Sequence, residues 1–283
     1  MIPVQFEYVA PESVDDAVTM LAAAGDTGKV LAGGQSLIPA LRLNSPAKVI
    51  DLGRIEALSA ITADAERIVI GAMATHDAVL RSDLVVQHAR LLHDAVAAVA
   101  DPQVRNRGTV GGALVHADPA SDVGAAALAL GAELVIAGAG GATRTVTAEN
   151  FFVDAFETVV RDGELLTQIR VPRRTGWGAH YEKFVRAAHQ WAIVAVAATV
   201  RVSGGTIAEA RIGLANMGST PLRATTVEQA LVGRTATEDA VRAAVVSVAD
   251  GTVPPSDLNG DADCRRYLAK VLTRRAVLAA AGA

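Results

Sequence analysis

Apolar positions along the chain repeat with two different periods, and the switches between them mark the elements. Val14, Ala17, Val18 and Leu21 share one face of a helix that Ser13 can cap and Gly25 can end. Residues 29–32 read as a short strand running into Gly33-Gly34. A short helix and Pro46 follow, and residues 48–52 read as a second strand. After Ile55 the pattern gives a strand at 67–70 and helices at 77–81 and 91–100. Residues 101–112, with Pro102 and three glycines, read as a loop. Helical spacing returns over 119–130, where Pro119 suits the first turn and Asp118 the cap. Residues 133–137 and 143–146 read as a hairpin over the glycines at 138–141, and 164–171 as a strand ending at Pro172. The segment 173–178 (RRTGWG) is the clearest boundary. Beyond it, 181–185, 192–202 and 207–214 predict a three-stranded antiparallel sheet, with Gly204-Gly205 joining the last two strands. Helices are expected at 225–231, 238–249 and 263–281. Strands and helices are mixed without strict alternation, so the expected class is α+β.

Composition narrows the function. The 283 residues carry 26 Lys+Arg against 30 Asp+Glu, a formal net charge of −4, and 51% are hydrophobic while only 4% are aromatic. That chain can bury a large core of small aliphatic side chains. Its acidic balance argues against a nucleic-acid protein, which needs a basic face to displace counterions. No polybasic run points to an anionic membrane surface. The longest apolar stretch free of charge and glycine, 191–200, is far short of the ~20 residues that span a bilayer. The N-terminal segment has no basic stretch followed by an apolar one, so no secretory signal and a cytoplasmic location are expected. The single cysteine, Cys264, can form no internal disulfide and cannot alone hold zinc or an iron–sulfur cluster. No period of 20–50 residues recurs.

Two glycine pairs carry the candidate chemistry: Ala32-Gly33-Gly34-Gln35-Ser36 and Thr109-Val110-Gly111-Gly112. Without Cβ atoms, backbone amides can approach an anion closely, and Ser36 and Thr109 add hydroxyls. Neither matches a dinucleotide fingerprint or a Walker loop. Each taken singly reads equally as a plain turn, whereas the two together suggest a diphosphate held between them. Gly111 is then expected to leave room for that diphosphate, so that Gly111→Val should abolish its retention. Arg105 and Arg107 flank the second loop, where they can offset anionic charge or face solvent or a partner. Asp122, one turn beyond Pro119, can accept from sugar hydroxyls or simply favour the positive end of a helix. His76, His93, His116 and His189 show no metal spacing and are expected to be structural or superficial. No Ser–His–Asp or paired-carboxylate arrangement is found, so neither catalytic nor metal-binding residues are expected here.

In order, AGGQS at 32–36, TVGG at 109–112, HADPASD at 116–122, GELLTQIRVP at 163–172 and YEKFVR at 181–186 resemble the FAD-binding medium subunits of molybdenum hydroxylases, the carbon monoxide dehydrogenase and xanthine dehydrogenase group. The resemblance is collinear over nearly the whole chain and implies a two-subdomain FAD-binding domain over 1–175, divided at about 54/55. A C-terminal α+β domain over 176–283 follows. It implies that the FAD diphosphate lies between Ala32, Gly33, Gly34, Gln35 and Ser36, flanked by Leu31 and Leu37, and Thr109, Gly111 and Gly112, followed by Ala113. Asp122 matches the family's FAD-contacting aspartate, Leu165 or Leu166 its apolar contact to adenine, and Lys183 a lysine near the flavin. Trp191 stands where similar subunits often carry a tyrosine against the isoalloxazine, and is expected to stack there or to begin a buried strand. Val99 replaces an aromatic flavin contact of the fused relatives, and Gln35 a histidine found in some carbon monoxide dehydrogenase-like subunits.

The resemblance further implies partners: a large subunit bearing the molybdenum cofactor and a small one bearing two [2Fe–2S] clusters, most simply as a two-copy heterohexamer. Electrons would pass from the clusters to FAD in this chain and on to an external acceptor. Alternatives are a self-sufficient flavin oxidase or reductase and a flavin-free structural subunit.

Overall fold

The computed structural model describes residues 5–41 and 46–283; the first four residues of the N-terminal segment read above for a signal lie outside it. The chain begins with β1 (Glu7–Val9), α1 (Val14–Ala24), β2 (Gly28–Leu31), α2 (Leu37–Ala40) and β3 (Lys48–Asp51), and its strands form a parallel sheet in the order β1–β3–β2. Ser13 caps α1 by accepting from the Asp16 amide at 3.1 Å, and Gly25 ends it at φ +53°, as their residue types predict. Ala17 and Val18 pack beneath the sheet with Ile50, Leu52 and Leu58.

The middle of the chain winds five antiparallel strands around a helical layer. The strands are β4 (Ile61–Ala63), β5 (Arg67–Gly71), then β6 (Glu133–Ala137), β7 (Thr143–Thr147) and, after the small hairpin β8 (Phe152–Asp154) and β9 (Glu157–Thr158), β10 (Leu165–Pro172). Their order is β4–β5–β10–β6–β7. Between β5 and β6 run α3 (His76–Leu80), α4 (Asp83–His88), α5 (Arg90–Ala97), α6 (Pro102–Arg107), α7 (Val110–His116) and α8 (Asp122–Leu130).

Two local expectations change here. Residues 101–112 are not a loop: Asp101 caps α6 by accepting from the Gln103 and Val104 amides at 2.8 and 2.9 Å, with Pro102 at the first helical position. Gly108 is then the break before α7. Asp118 does not cap the next helix. It accepts from the Ala120 amide at 2.9 Å, closing a turn around Pro119, and α8 starts only at Asp122. Proline signalled an interruption in both places; at 101–107 the Asp101 cap puts the helix after it, whereas at 118–121 the Asp118 turn delays the helix to Asp122.

The C-terminal sheet contains the three predicted antiparallel strands, β11 (Gly178–Phe184), β12 (Val194–Ser203) and β13 (Thr206–Ala215), extended by the two-residue β14 (Leu222–Arg223). Gly204 and Gly205 make the tight turn at φ +58° and +78°. The helices α9 (Thr225–Leu231), α10 (Glu238–Ala244) and α11 (Ala262–Ala281) cover one face, packing on Val194, Val196, Val200, Ile212 and Leu214. The other face, lined by Tyr181, Ala195, Ala197 and Ala215, closes on α8, every residue of which is buried. Approach is close enough that a Cβ on Gly213 would fall 2.1 Å from the Ala125 carbonyl oxygen. Among the described residues, no helix is long and apolar enough to cross a membrane.

Candidate functional site

The two glycine loops meet. A Cβ on Gly33 would lie 2.1 Å from the Arg107 carbonyl oxygen and 2.7 Å from Gly108 Cα, so only glycine permits this crossing. Gly34 holds φ +75°, which turns the chain from β2 into α2. Among the described residues, nothing accepts a hydrogen bond from the amides of Gly33, Gly34, Gln35, Ser36 or Leu37. Five successive donors, partly open to solvent, therefore surround the start of a short helix. Such a row of amides is the chemistry that phosphate oxygens require.

The second loop contributes differently. Its amides turn inward: Val110 donates to Ala74 O at 3.0 Å, Gly111 to Ala72 O at 3.0 Å, Gly112 to Thr109 Oγ1 at 3.1 Å and Ala113 to Thr109 O at 3.0 Å. With Thr109 Oγ1 already accepting from Gly112, its O–H remains as a donor. The expectation that Gly111 clears space for a diphosphate is corrected. A Cβ there would fall 2.5 Å from Ala72 O and 2.6 Å from Ala72 Cβ, so Gly111 serves the packing of α7 on the sheet. Gly112 is the one beside the first loop, its Cβ position lying 3.5 Å from Ala32 Cβ.

His76 lies beneath the crossing. Its backbone amide donates to Gly108 O at 2.9 Å, and its ring is so close that a Cβ on Gly108 would meet Cδ2 at 3.0 Å. Burial, with a smaller effect of the Arg105 charge, pushes the imidazole down to about 4, so it is neutral at pH 7. The Arg105 side chain is engaged by the turn between α5 and α6. Its Nη1 lies 2.7 Å from Val99 O, and 3.3 and 3.4 Å from Ala100 O and Ala97 O. Arg107 stays exposed at the crossing, so of the two flanking arginines it is the one placed to offset anionic charge.

Asp122 and Lys183 come together across the sheet–helix interface. Lys183 Nζ donates to Asp122 Oδ2 at 2.8 Å and to Ala98 O at 3.0 Å, while Tyr181 Oη donates to Asp122 Oδ1 at 2.7 Å. Burial and the neighbouring Asp122 carboxylate push the Tyr181 phenol well above its ordinary value, which keeps it a donor. The same turn receives a third side chain, since His189 Nδ1 is 2.8 Å from Ala100 O. His189 belongs to the exposed connection that also carries Trp191, itself 56% exposed. The base of that connection is fixed: Asn216 Nδ2 donates to Ala192 O at 2.8 Å, Ile193 N to Phe184 O at 2.9 Å, and the fully buried Arg265 to Ile193 O. Trp191 thus precedes the buried strand instead of beginning it.

Leu165 and Leu166 are buried on β10 in different clusters, Leu165 with Ala17, Ile50 and Met73, Leu166 with Ile68, Val110 and Ile136. Their strand sits directly behind the second loop, for Ala72 N donates to Thr167 O at 2.9 Å. Leu31 and Leu37 flank the first loop and Ala113 the second, all partly exposed. Three participants went unremarked in the sequence as such: Tyr181, the carbonyls of residues 97–100, and His76 as a packing partner. Tyr181 and Lys183 are alternate positions of one strand and so project to the same face, a signal that was available. Backbone carbonyls leave none.

Comparison with known proteins places this arrangement in a class. The family described as the FAD binding domain in molybdopterin dehydrogenase matches residues 4–174, and the CO dehydrogenase flavoprotein C-terminal domain matches residues 179–280. The chain belongs to the FAD-binding medium subunits of the molybdenum-containing oxidoreductases. It is 40% identical over 285 residues to the carbon monoxide dehydrogenase medium chain of Hydrogenophaga pseudoflava, covering 99% of this chain and 98% of that one. It is 37% identical to the glyceraldehyde dehydrogenase medium chain of Sulfolobus acidocaldarius, with 98% of both covered. The solved carbon monoxide dehydrogenase of H. pseudoflava superposes with a TM-score of 0.96 at 41% identity, covering 100% of this chain and 99% of that chain. The residues present fit the family's cofactor: open amides at the first loop suit a diphosphate, and a crossing without Cβ atoms packs that loop against the start of the second.

Proposed function

We propose that the chain binds FAD across the two glycine loops and acts as the electron-transfer subunit of a molybdenum hydroxylase. It would take electrons from [2Fe–2S] clusters of a small partner subunit and deliver them to an external acceptor. The observation that carries this reading is the row of five unclaimed amides at residues 33–37, held against the start of the second loop by the crossing of Gly33 on Gly108. FAD, when bound, supplies the electron-accepting and electron-donating chemistry. The protein supplies the rest. The amides of residues 33–37 and the Thr109 hydroxyl would hold the diphosphate, Arg107 would offset its charge, Lys183, paired with Asp122, would serve near the flavin, and Trp191 would stack on it. Leu165 or Leu166 would supply the apolar contact to adenine.

Further support comes from the relatives, which carry the names of carbon monoxide, glyceraldehyde and caffeine dehydrogenases although each aligns with nearly all of this chain. One medium-chain scaffold thus accompanies several substrates, consistent with substrate choice on a large molybdenum subunit. The single cysteine fits a chain that leaves the clusters to a partner. We assign the cofactor region to residues 1–175, with subdomains meeting near residue 54, and the C-terminal domain to 176–283. The assembly is a two-copy heterohexamer in the cytoplasm. The test is to purify the chain co-expressed with its partner subunits, record the flavin spectrum and identify acid-released cofactor by mass. One FAD per chain is the expected result. A correctly assembled complex without FAD overturns the reading.

A further inference from the structure

Four consecutive carbonyls, those of residues 97–100, form the turn from α5 into α6, and each one faces a side-chain nitrogen. Arg105 approaches those of Ala97, Val99 and Ala100, Lys183 takes that of Ala98, and His189 meets that of Ala100. The donors come from three separate places: α6, β11 and the connection bearing Trp191. Ala100 holds φ +36°, a left-handed backbone that alanine rarely adopts and that persists only where surroundings enforce it. Immediately after the turn, Asp101 caps α6, and six residues later the chain reaches the glycine crossing.

Arg105 is the element common to both ends. On one side it contacts the turn on which Lys183 and His189 close. On the other it belongs to α6, whose last turn runs straight into the crossing, with Gly108 N donating to Val104 O at 2.7 Å. Lys183 and His189 lie on the C-terminal sheet and its connection, so neither can hold the turn in register with α6. A guanidinium four residues beyond Asp101, on the first turns of the same helix, can.

We propose that Arg105 is a positioning residue for the cofactor site: by gathering the 97–100 carbonyls it fixes the distance between the glycine crossing and the Lys183–Trp191 side. The proposal rests on FAD occupying that space. Arg105 points its guanidinium at the carbonyls of the turn and acts through them. Lysine keeps the charge but has no planar fork and a different reach, so it restores only part of the function.

The test uses the full chain with Arg105→Gln and Arg105→Lys. It follows FAD affinity, the visible band of the bound flavin, and amide hydrogen exchange over residues 98–101 in the flavin-free protein. Arg105→Gln should weaken FAD binding about tenfold or more, the scale of one lost charge-assisted bond. It should also speed exchange in the turn while β12 and β13 stay protected, and Arg105→Lys should fall between. If Arg105→Gln does not fold, the lysine variant decides by the same readouts. Wild-type affinity and band shape in Arg105→Gln overturn the proposal, whether or not exchange rises, because a brace that leaves the flavin unaffected positions nothing. Should the wild-type chain bind no FAD even in its complex, the functional reading fails. Unchanged exchange in the variant then overturns the Arg105 assignment independently, and raised exchange upholds its hold on the turn.

Discussion

Lys183 and Asp122, 61 residues apart in sequence, meet at 2.8 Å with only 10% and 4% of their side chains exposed. The pair ties the C-terminal sheet to the first turn of α8, and its remaining valences go to Tyr181 and the Ala98 carbonyl. Asp122→Asn keeps an acceptor for Tyr181 but leaves the ammonium without its counter-charge. Breaking a buried pair on one side costs about 3 kcal/mol or more. Urea unfolding should show that loss, with Lys183→Met less severe because the remaining carboxyl can take up a proton.

The stability of the protein should depend on pH through His76. Its imidazole is depressed from 6.5 to about 4 in the folded chain, so below pH 6.5 the unfolded chain binds a proton that the folded chain refuses. Stability is full above pH 6.5, falls between 6.5 and about 4, and changes no further from this group below that. The full span amounts to about 3 kcal/mol. His76→Asn cannot titrate, and denaturant midpoints measured from pH 7.5 to 4.5 should slope less steeply than those of the wild type. Parallel slopes would remove His76 from the acid response.

Gly111 and Gly33 should respond differently to alanine. At Gly111 the added methyl runs into the Ala72 backbone inside the core, and the flavin-free chain should lose about 2 kcal/mol, a typical overpacking cost. At Gly33 the methyl meets Arg107 O and Gly108 Cα at the loop crossing, so the loss should appear mainly in FAD affinity. Thermal melts of the flavin-free variants, set against their FAD binding, separate the two. An equal loss of affinity per degree of melting would refute the distinction.

Trp191 is half exposed and outside the core, so Trp191→Ala should change stability by no more than about 0.5 kcal/mol. The other tryptophan, Trp177, lies under the Arg174 guanidinium at 4.4 Å. If Trp191 stacks on the flavin, FAD addition should quench wild-type tryptophan emission strongly and that of Trp191→Ala hardly at all. Equal quenching in both would place the ring elsewhere.

Much of the fold was legible because small signals agreed. Ser13 and Gly25 bounded α1, and the glycines at 204–205 fixed the hairpin register of β12 and β13. Residues 101–112 misled for a physical reason: α6 is a six-residue helix whose exposed positions carry no apolar period, and only the Asp101-Pro102 cap announces it. The glycine loops were visible as candidates, yet their division of labour was not. Whether an amide faces solvent or a neighbouring carbonyl depends on where Ala72 and Ala74 lie, and no pattern within 109–113 encodes that. Likewise Asp122 and Lys183 stood out individually, but their union required β11 to pack across α8.

That packing has a thermodynamic consequence. Alanines on β12 and glycine at 213 let α8 sink into the sheet until none of its nine residues is exposed. Cutting the chain between the two family-matched regions, near residue 175, would therefore strip one helix of its wall and one sheet of its floor. Neither fragment inherits a complete interior, so heat or denaturant should dismantle the cofactor-binding half and the C-terminal half in a single cooperative transition.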